Sequence, residues 1–285
     1  MRTVRKPSAP ALRGGLVFLG VLLTALFPHY ASSATRTAPG SVDPAAILRA
    51  YYIEHEDGGA AVAQGNPDRR VSVASATKLV TALVARSMLR DDDLVTVPGA
   101  ATRLIGARIG LTAGERYRVI DLLHGMLMES GNDAAYSIAV RAAGSPARFA
   151  ARMNEWCRAN GFPKSSFADP AGLNRRSAST ARELVGIFRA FQSDPALARI
   201  ITLKRHTIHS AGGRSIELNN SNYFIRYFRR EFAGKTGYTR AAGSCYVGWI
   251  KNGADRYYVA FLGARKGWQE QDVLFDALVA RNGRR

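Results

Sequence analysis

Ala74-Ser75-Ala76-Thr77-Lys78-Leu79-Val80-Thr81-Ala82-Leu83-Val84 places a serine and a lysine at the head of an apolar run. In a helix, residues three apart lie one above the other on a single face, which makes the Ser75 hydroxyl and the Lys78 amine neighbours. That is a nucleophile beside a candidate base. A helix start also carries unpaired backbone N–H groups and the positive end of the dipole, which favour negative charge developing at the serine. Taken alone, the stretch has a plainer reading, with Ser75 a helix cap and Lys78 a solvated first-turn residue.

On its N-terminal side, Asn66-Pro67-Asp68 makes a turn into this helix. Before it, residues 46–53 and 60–63 read as two strands around Asp57-Gly58-Gly59, a hairpin signal. On its C-terminal side the pattern is mainly helical to about residue 191. Residues 117–128 form one apolar-periodic segment and 132–143 another. A third opens with Ser145-Pro146, a cap with proline at the first helical position, carries Phe149, Met153, Trp156 and Cys157 on one face, and stops at Gly161. A fourth begins at Thr180 with Glu183 three residues on, a capping box, and buries Leu184, Ile187, Phe188 and Phe191.

After Pro195 the pattern changes to strands. Residues 205–209 and 215–218 flank Gly212-Gly213, and 243–250 and 256–262 flank Asn252-Gly253, a strong hairpin signal. Residues 269–280 close the chain as a helix with Leu274, Ala277 and Leu278 on one face. Strands at both ends of a helical middle predict an α/β protein of the α+β type. Its antiparallel sheet comes from about 44–74 and 200–285, with a mostly helical part at about 75–199 and the active site where the two meet.

The composition, 47% hydrophobic and 22% charged over 285 residues, is globular. The first 34 residues differ. Arg2, Arg5, Lys6 and Arg13 precede an apolar run over 14–27, and Ser32-Ser33-Ala34 supplies small residues for cleavage. The run is shorter than a membrane span of about 20 residues, so a signal peptide cut after Ala34 is expected, followed by a polar linker over 35–45. The exported unit would be residues 35–285, soluble or peripheral. Net charge is +18; the leader, with four basic residues and no acidic one, leaves +14 on the remainder. Such a charge favours anionic surfaces, and export argues for the cell envelope over nucleic acid, for which no motif is present.

Cys157 falls in a helical pattern and Cys245 in a strand pattern, both apolar, which favours free core thiols over a disulfide. No Cys/His spacing suits a metal and the five histidines are dispersed, so neither metal nor cofactor is expected. His124, although close in sequence to Ser130, lies on an apolar helix and reads as a packing histidine. Arg226, Arg229 and Arg230, interleaved with Tyr227, Phe228 and Phe232, read as a solvated loop with buried aromatics rather than a glycan contact.

Three short motifs occur in order: Ser75-Ala76-Thr77-Lys78; Ser130-Gly131-Asn132, on a loop between two helical segments; and Lys235-Thr236-Gly237, just before the strand expected from Gly243. Each alone is weak, but the ordered triple is strong. It resembles the penicillin-binding, active-site-serine family. The flanking text, Asp133-Ala134-Ala135, Asp169-Pro170-Ala171-Gly172-Leu173, Ser179-Thr180-Ala181 and Gly234 through Thr239, narrows the resemblance to the low-molecular-mass D-alanyl-D-alanine carboxypeptidases.

The resemblance, over roughly residues 44–280, implies a sheet with flanking helices and a mostly helical subdomain, in agreement with the reading above. It also implies acyl transfer. Ser75 would attack the carbonyl between two D-alanines of a peptidoglycan stem peptide, and β-lactams would acylate the same serine. Lys78 acts as base only if its pKa is lowered by burial or by a nearby cation, a part open to Lys235. Ser130 would relay a proton to the leaving amine, Asn132 would hold the substrate peptide, and Lys235 with Thr236 would bind its carboxylate. Gly237 would let substrate approach the strand edge, and the N–H groups of Ser75 and Tyr238 would form an oxyanion hole, one donor of which is worth about 3 kcal/mol.

Two departures stand out. The sequence ends soon after its last helix, without the further β-rich domain and amphipathic anchor of many relatives, and Arg49-Ala50-Tyr51-Tyr52-Ile53-Glu54 leads to Asp57-Gly58-Gly59 where family strands usually run into an Asp and a Thr-Gly turn. The competing functions are a DD-endopeptidase using the same residues, a β-lactamase and a non-catalytic penicillin sensor. A β-lactamase of the common type would need a glutamate near 169–174 and an aspartate in place of Gly131. A sensor would bring a transmembrane signalling segment.

Overall fold

The computed structural model describes residues 43–222 and 231–264, together with 274, 275 and 279. The Asp43 carboxylate accepts from the Ala45 amide and Pro44 takes the first helical position, which makes a one-turn helix, α1 (Pro44–Ile47). The first strand, β1 (Ala50–His55), therefore starts later than residue 46. Its partner is β2 (Ala63–Gly65), also later than expected. Gly58 and Gly59, at φ 85° and 102°, widen the connection, so that Ile53 faces Ala63.

β3 (Val71–Ser72) leads through a single tight turn over Ala74–Ala76 into α2 (Thr77–Met88). β4 (Leu94–Thr96) and β5 (Arg116–Arg118) then pair with Val95 opposite Tyr117, both buried. That cross-strand pair takes Tyr117 out of the expected helix, and α3 (Val119–Met128) begins only after Arg118. α4 (Asn132–Ala143) has the expected bounds. α5 (Pro146–Ala159) is capped by Ser145, whose hydroxyl accepts from the Arg148 amide at 3.2 Å.

β6 (Ala178–Ser179) pairs with β3 and precedes α6 (Ala181–Gln192). Half of the expected capping box forms there: Thr180 Oγ1 accepts from the Glu183 amide, while the Glu183 carboxylate accepts instead from the Lys164 amide and the Ser165 hydroxyl. Strands do not follow Pro195 directly. Asp194 accepts from the amides of Ala196 and Leu197, and Pro195 opens a short helix, α7 (Pro195–Ile200). The hairpin β7 (Arg205–His209) and β8 (Ser215–Asn219) comes next, and β9 (Phe232–Thr239), β10 (Gly243–Asn252) and β11 (Asp255–Ala264) complete the strands among the described residues.

The main sheet is antiparallel, in the order β2-β1-β11-β10-β9, and so joins both ends of the described chain. Its central strand shows why both faces are covered. Tyr258, Ala260 and Leu262 of β11 face the helices α2 and α6 in one apolar cluster; Tyr257, Val259 and Phe261 face Leu274, Phe275 and Val279 in a second. Those three residues are the described part of the expected helix at 269–280; Ala277 and Leu278 lie outside the described residues, as do Arg226 to Arg230.

α6 lays Phe188 against Tyr258, with ring centroids 6.0 Å apart, and Arg189 hydrogen-bonds the β1 carbonyl of His55 and that of Glu56 just beyond it. α2 is buried on nearly every side, the mark of a core helix. That position puts a lysine in the protein interior. Cys157 and Cys245 are buried free thiols, as expected.

Candidate active site

Ser75 stands in the tight turn ahead of α2, closed by the Ala76 amide onto the Val73 carbonyl at 3.1 Å, and Ala74 takes φ 47° to make it. One helical turn on, the Lys78 side chain is fully buried. Its Nζ lies 2.9 Å from Ser75 Oγ, 2.8 Å from Asn132 Oδ1 and 2.8 Å from the Ala171 carbonyl oxygen. The last two can only accept. Asn132 Oδ1 and the Ala171 carbonyl therefore each accept an N–H of the amine, and in the neutral form, with two N–H groups and one lone pair, the lone pair is what remains for the Ser75 hydroxyl. Burial first, and then the charge of Lys235, hold the Lys78 pKa well below the usual lysine value, while Asp169 and Asp133 oppose that shift.

Asn132 opens α4. Its Nδ2 donates to the Ile105 carbonyl at 2.7 Å, which settles that Oδ1 faces Lys78, and one N–H of the carboxamide is left over. Ser130, two residues earlier, takes φ 62° in the loop after α3, and its hydroxyl has no hydrogen-bond partner among the described residues. The loop is held from below, where Ser221 donates to the Met128 carbonyl and the Asn219 amide to Glu129.

Lys235-Thr236-Gly237 lies inside an edge strand, β9, rather than ahead of a strand as the sequence suggested; all three residues pair with β10. Lys235 is buried, its Nζ donates to the Thr236 carbonyl at 3.1 Å, and burial pulls its pKa down to about 7. Thr236 is half-buried, and Tyr238 is 67% exposed. At Gly237 a Cβ would lie 2.7 Å from the Ser75 backbone nitrogen, so the strand passes directly against the turn that carries Ser75.

The structure thus joins Ser75, Lys78 and Asn132 by hydrogen bonds, sets Gly237 against Ser75 by backbone approach, and couples Lys235 to Lys78 through charge. Thr236 and Tyr238 enter as the chain neighbours of Gly237, and Ser130 enters two residues before Asn132. His124 stays outside the network and stacks on His206, with centroids 3.9 Å apart. Two participants escaped sequence reasoning, the carbonyls of Ala171 and Ile105. Backbone oxygens leave no residue-type signature; the one available signal was the turn text Asp169-Pro170-Ala171-Gly172. Among the described residues, no group of three or more His, Cys, Asp or Glu could hold a metal ion.

A family model described as D-alanyl-D-alanine carboxypeptidase matches residues 40–266, a span that includes every residue of this site. The chain belongs to the D-alanyl-D-alanine carboxypeptidase family. A D-alanyl-D-alanine carboxypeptidase of Mycobacterium tuberculosis is 31% identical over 247 residues, covering 83% of this chain and 84% of that one. The crystal structure of a D-alanyl-D-alanine carboxypeptidase from the same organism superposes with TM-score 0.76 at 28% identity, over 84% of this chain and 93% of that one. A D-alanyl-D-alanine endopeptidase of Pseudomonas aeruginosa is 30% identical over 68% of this chain, which spans 64% of that relative's length. The expected fold, an antiparallel sheet flanked by helices with a mostly helical subdomain, is that of these relatives.

Proposed function

We propose that this chain is a serine D-alanyl-D-alanine carboxypeptidase that removes the terminal D-alanine from peptidoglycan stem peptides. One observation carries the reading: a buried lysine amine 2.9 Å from a serine hydroxyl and 2.8 Å from each of two oxygens that can only accept. Ser75 Oγ attacks the carbonyl carbon between the two D-alanines and its proton passes to Lys78. The C–N bond then breaks as the leaving amine takes a proton through Ser130. Water hydrolyses the ester and frees Ser75.

The charged Lys235, with Thr236, binds the terminal carboxylate, and the spare N–H of Asn132 binds a substrate carbonyl. Gly237 keeps the strand edge open to the substrate backbone, and the amides of Ser75 and Tyr238 stabilise the oxyanion. β-Lactams acylate the same serine and act as covalent inhibitors. The steps use only this chain's own groups and water.

Residues 1–34 act as a signal peptide cleaved near Ala34, and residues 35–285 form the peptidase unit in the periplasm or extracellular envelope. No helix among the described residues is long and apolar enough to cross a membrane. The excess of basic residues favours peripheral contact with an anionic envelope surface. A second reading, a DD-endopeptidase on peptidoglycan cross-links, draws support from the relative that bears that name.

The test incubates the purified protein with a fluorescent penicillin, a diacetyl-Lys-D-Ala-D-Ala peptide and a cross-linked muropeptide dimer. Release of D-alanine with slow loss of the penicillin label is expected, and both vanish in Ser75→Ala. Cleavage of the dimer alone selects the endopeptidase. Rapid penicillin turnover without peptide cleavage, or a permanent adduct without turnover, replaces the reading with a β-lactamase or a sensor.

A further inference from the structure

Asp133 and Asp169 take no part in the chemistry above, yet each is one link removed from Lys78. Asp169 gathers a turn around its side chain: Oδ1 accepts from the amides of Ala171, Gly172 and Leu173 at 2.8, 2.7 and 3.1 Å, and Oδ2 from Asn174 at 2.8 Å. The turn presses on the nucleophile's segment, since a Cβ on Gly172, at φ 78°, would fall 1.9 Å from the Ala74 carbonyl oxygen. Its outcome is an Ala171 carbonyl aimed at Lys78 Nζ, with the preceding Pro170 carbonyl taken by Thr81, three residues after Lys78 on the same helix.

Asp133, fully buried, does the same on the other side. Oδ1 accepts from the Ile109 and Ala134 amides, and Oδ2 from those of Gly110 and Leu111, all between 3.0 and 3.2 Å. The loop so fastened supplies the Ile105 carbonyl to Asn132 Nδ2 and the Ala107 carbonyl to the Asn132 amide, which leaves Asn132 Oδ1 facing Lys78.

We propose that Asp133 and Asp169 are a pair of positioning residues that, through Asn132 Oδ1 and the Ala171 carbonyl, aim the Lys78 lone pair at the Ser75 hydroxyl. The inference rests on the acyl-transfer reading of the site. Two acceptors fix two of the three free directions of the amine, and the third points at Ser75. Three charged groups act on that amine: Lys235 from β9 favours its neutral form, and Asp133 from α4 and Asp169 from the loop after α5 favour its charged form. Removal of either carboxylate charge therefore leaves Lys78 neutral down to lower pH.

The test is the rate of Ser75 acylation by a fluorescent penicillin, followed against pH in the full chain, D133N, D169N, D133E and D169E, each checked by thermal melting. In each Asn variant the limiting rate is expected to fall about 10- to 100-fold, because the amine loses its aim, and the acid limb to move to lower pH. The Glu variants are expected to lose rate with the limb in place. An unmoved limb, a shift in only one Asn variant, or an unchanged rate overturns the proposal. So does loss of cooperative melting in both Asn variants, since the carboxylates would then serve the fold alone. Absence of wild-type labelling strikes the acyl-transfer reading instead.

Discussion

Lys78 Nζ stands 2.9 Å from Ser75 Oγ, and no part of the lysine reaches solvent. A base in that position works through a lone pair, which an arginine does not offer, because guanidinium stays charged at any working pH. In Lys78→Arg, acylation of Ser75 is expected to slow by about 100- to 10,000-fold, the usual worth of a positioned general base. Rapid-mixing measurement of fluorescent penicillin labelling checks this. A rate within tenfold of wild type would move the base elsewhere.

Lys235 titrates in the opposite functional sense. Its pKa of about 7 in the free protein, set by burial, means that the amine loses its charge above neutrality, and a neutral amine holds a carboxylate poorly. kcat/KM for a D-Ala-D-Ala peptide should decline above about pH 7, since that quantity reports free-enzyme ionisations. Lys235→Arg keeps the charge and should carry the plateau to higher pH. The same alkaline limb in wild type and Lys235→Arg would assign it to another group.

The parts of the molecule written in residue types were legible. Ser145-Pro146 and Thr180 mark helix starts, Asn252-Gly253 marks the hairpin between β10 and β11, and the three short motifs mark the site. Asp43-Pro44 and Asp194-Pro195 carry the same capping signal, but the helices they start are too short to show an apolar period. β9 was missed because Gly234, Lys235 and Gly237 have low strand propensity; pairing with β10 and closeness to Ser75 make it a strand. The two carbonyls around Lys78 were illegible for a different reason, since every residue has one.

Gly237 tests that closeness. A methyl group there meets the Ser75 nitrogen at 2.7 Å and the Ala76 nitrogen at 3.2 Å, both backbone atoms that cannot rotate away. In Gly237→Ala the edge strand must therefore move off the nucleophile's turn, at a stability cost of about 1–3 kcal/mol. Misplacement of this order at a reacting centre lowers acylation by about 100-fold. Urea unfolding and penicillin labelling measure the two effects together. Labelling at the wild-type rate would mean that the substrate edge and the nucleophile do not depend on this contact.

His124 of α3 stacks face to face, with rings 17° from parallel, on His206 of β7, one strand of the hairpin that supports the Ser130 loop. Burial is the leading cause that lowers both pKa values; the His206 ring and Arg199 add to it at His124, and Arg199, His209 and Arg118 at His206, while the hydrogen bond to the Ile120 carbonyl opposes it at His124 and Asp121 opposes it at both. The unfolded chain, with histidines near the ordinary value of about 6.5, thus binds protons before the folded one does. The stability linked to the pair is fully present above about pH 6.5 and is lost as pH falls through the lower folded values. Wild-type unfolding free energy should drop between about pH 7.5 and about pH 5, and by less in His206→Gln, which removes one titrating ring. Urea unfolding of both proteins at the two pH values decides it: an equal drop in each would mean that the stacked pair does not titrate in this window.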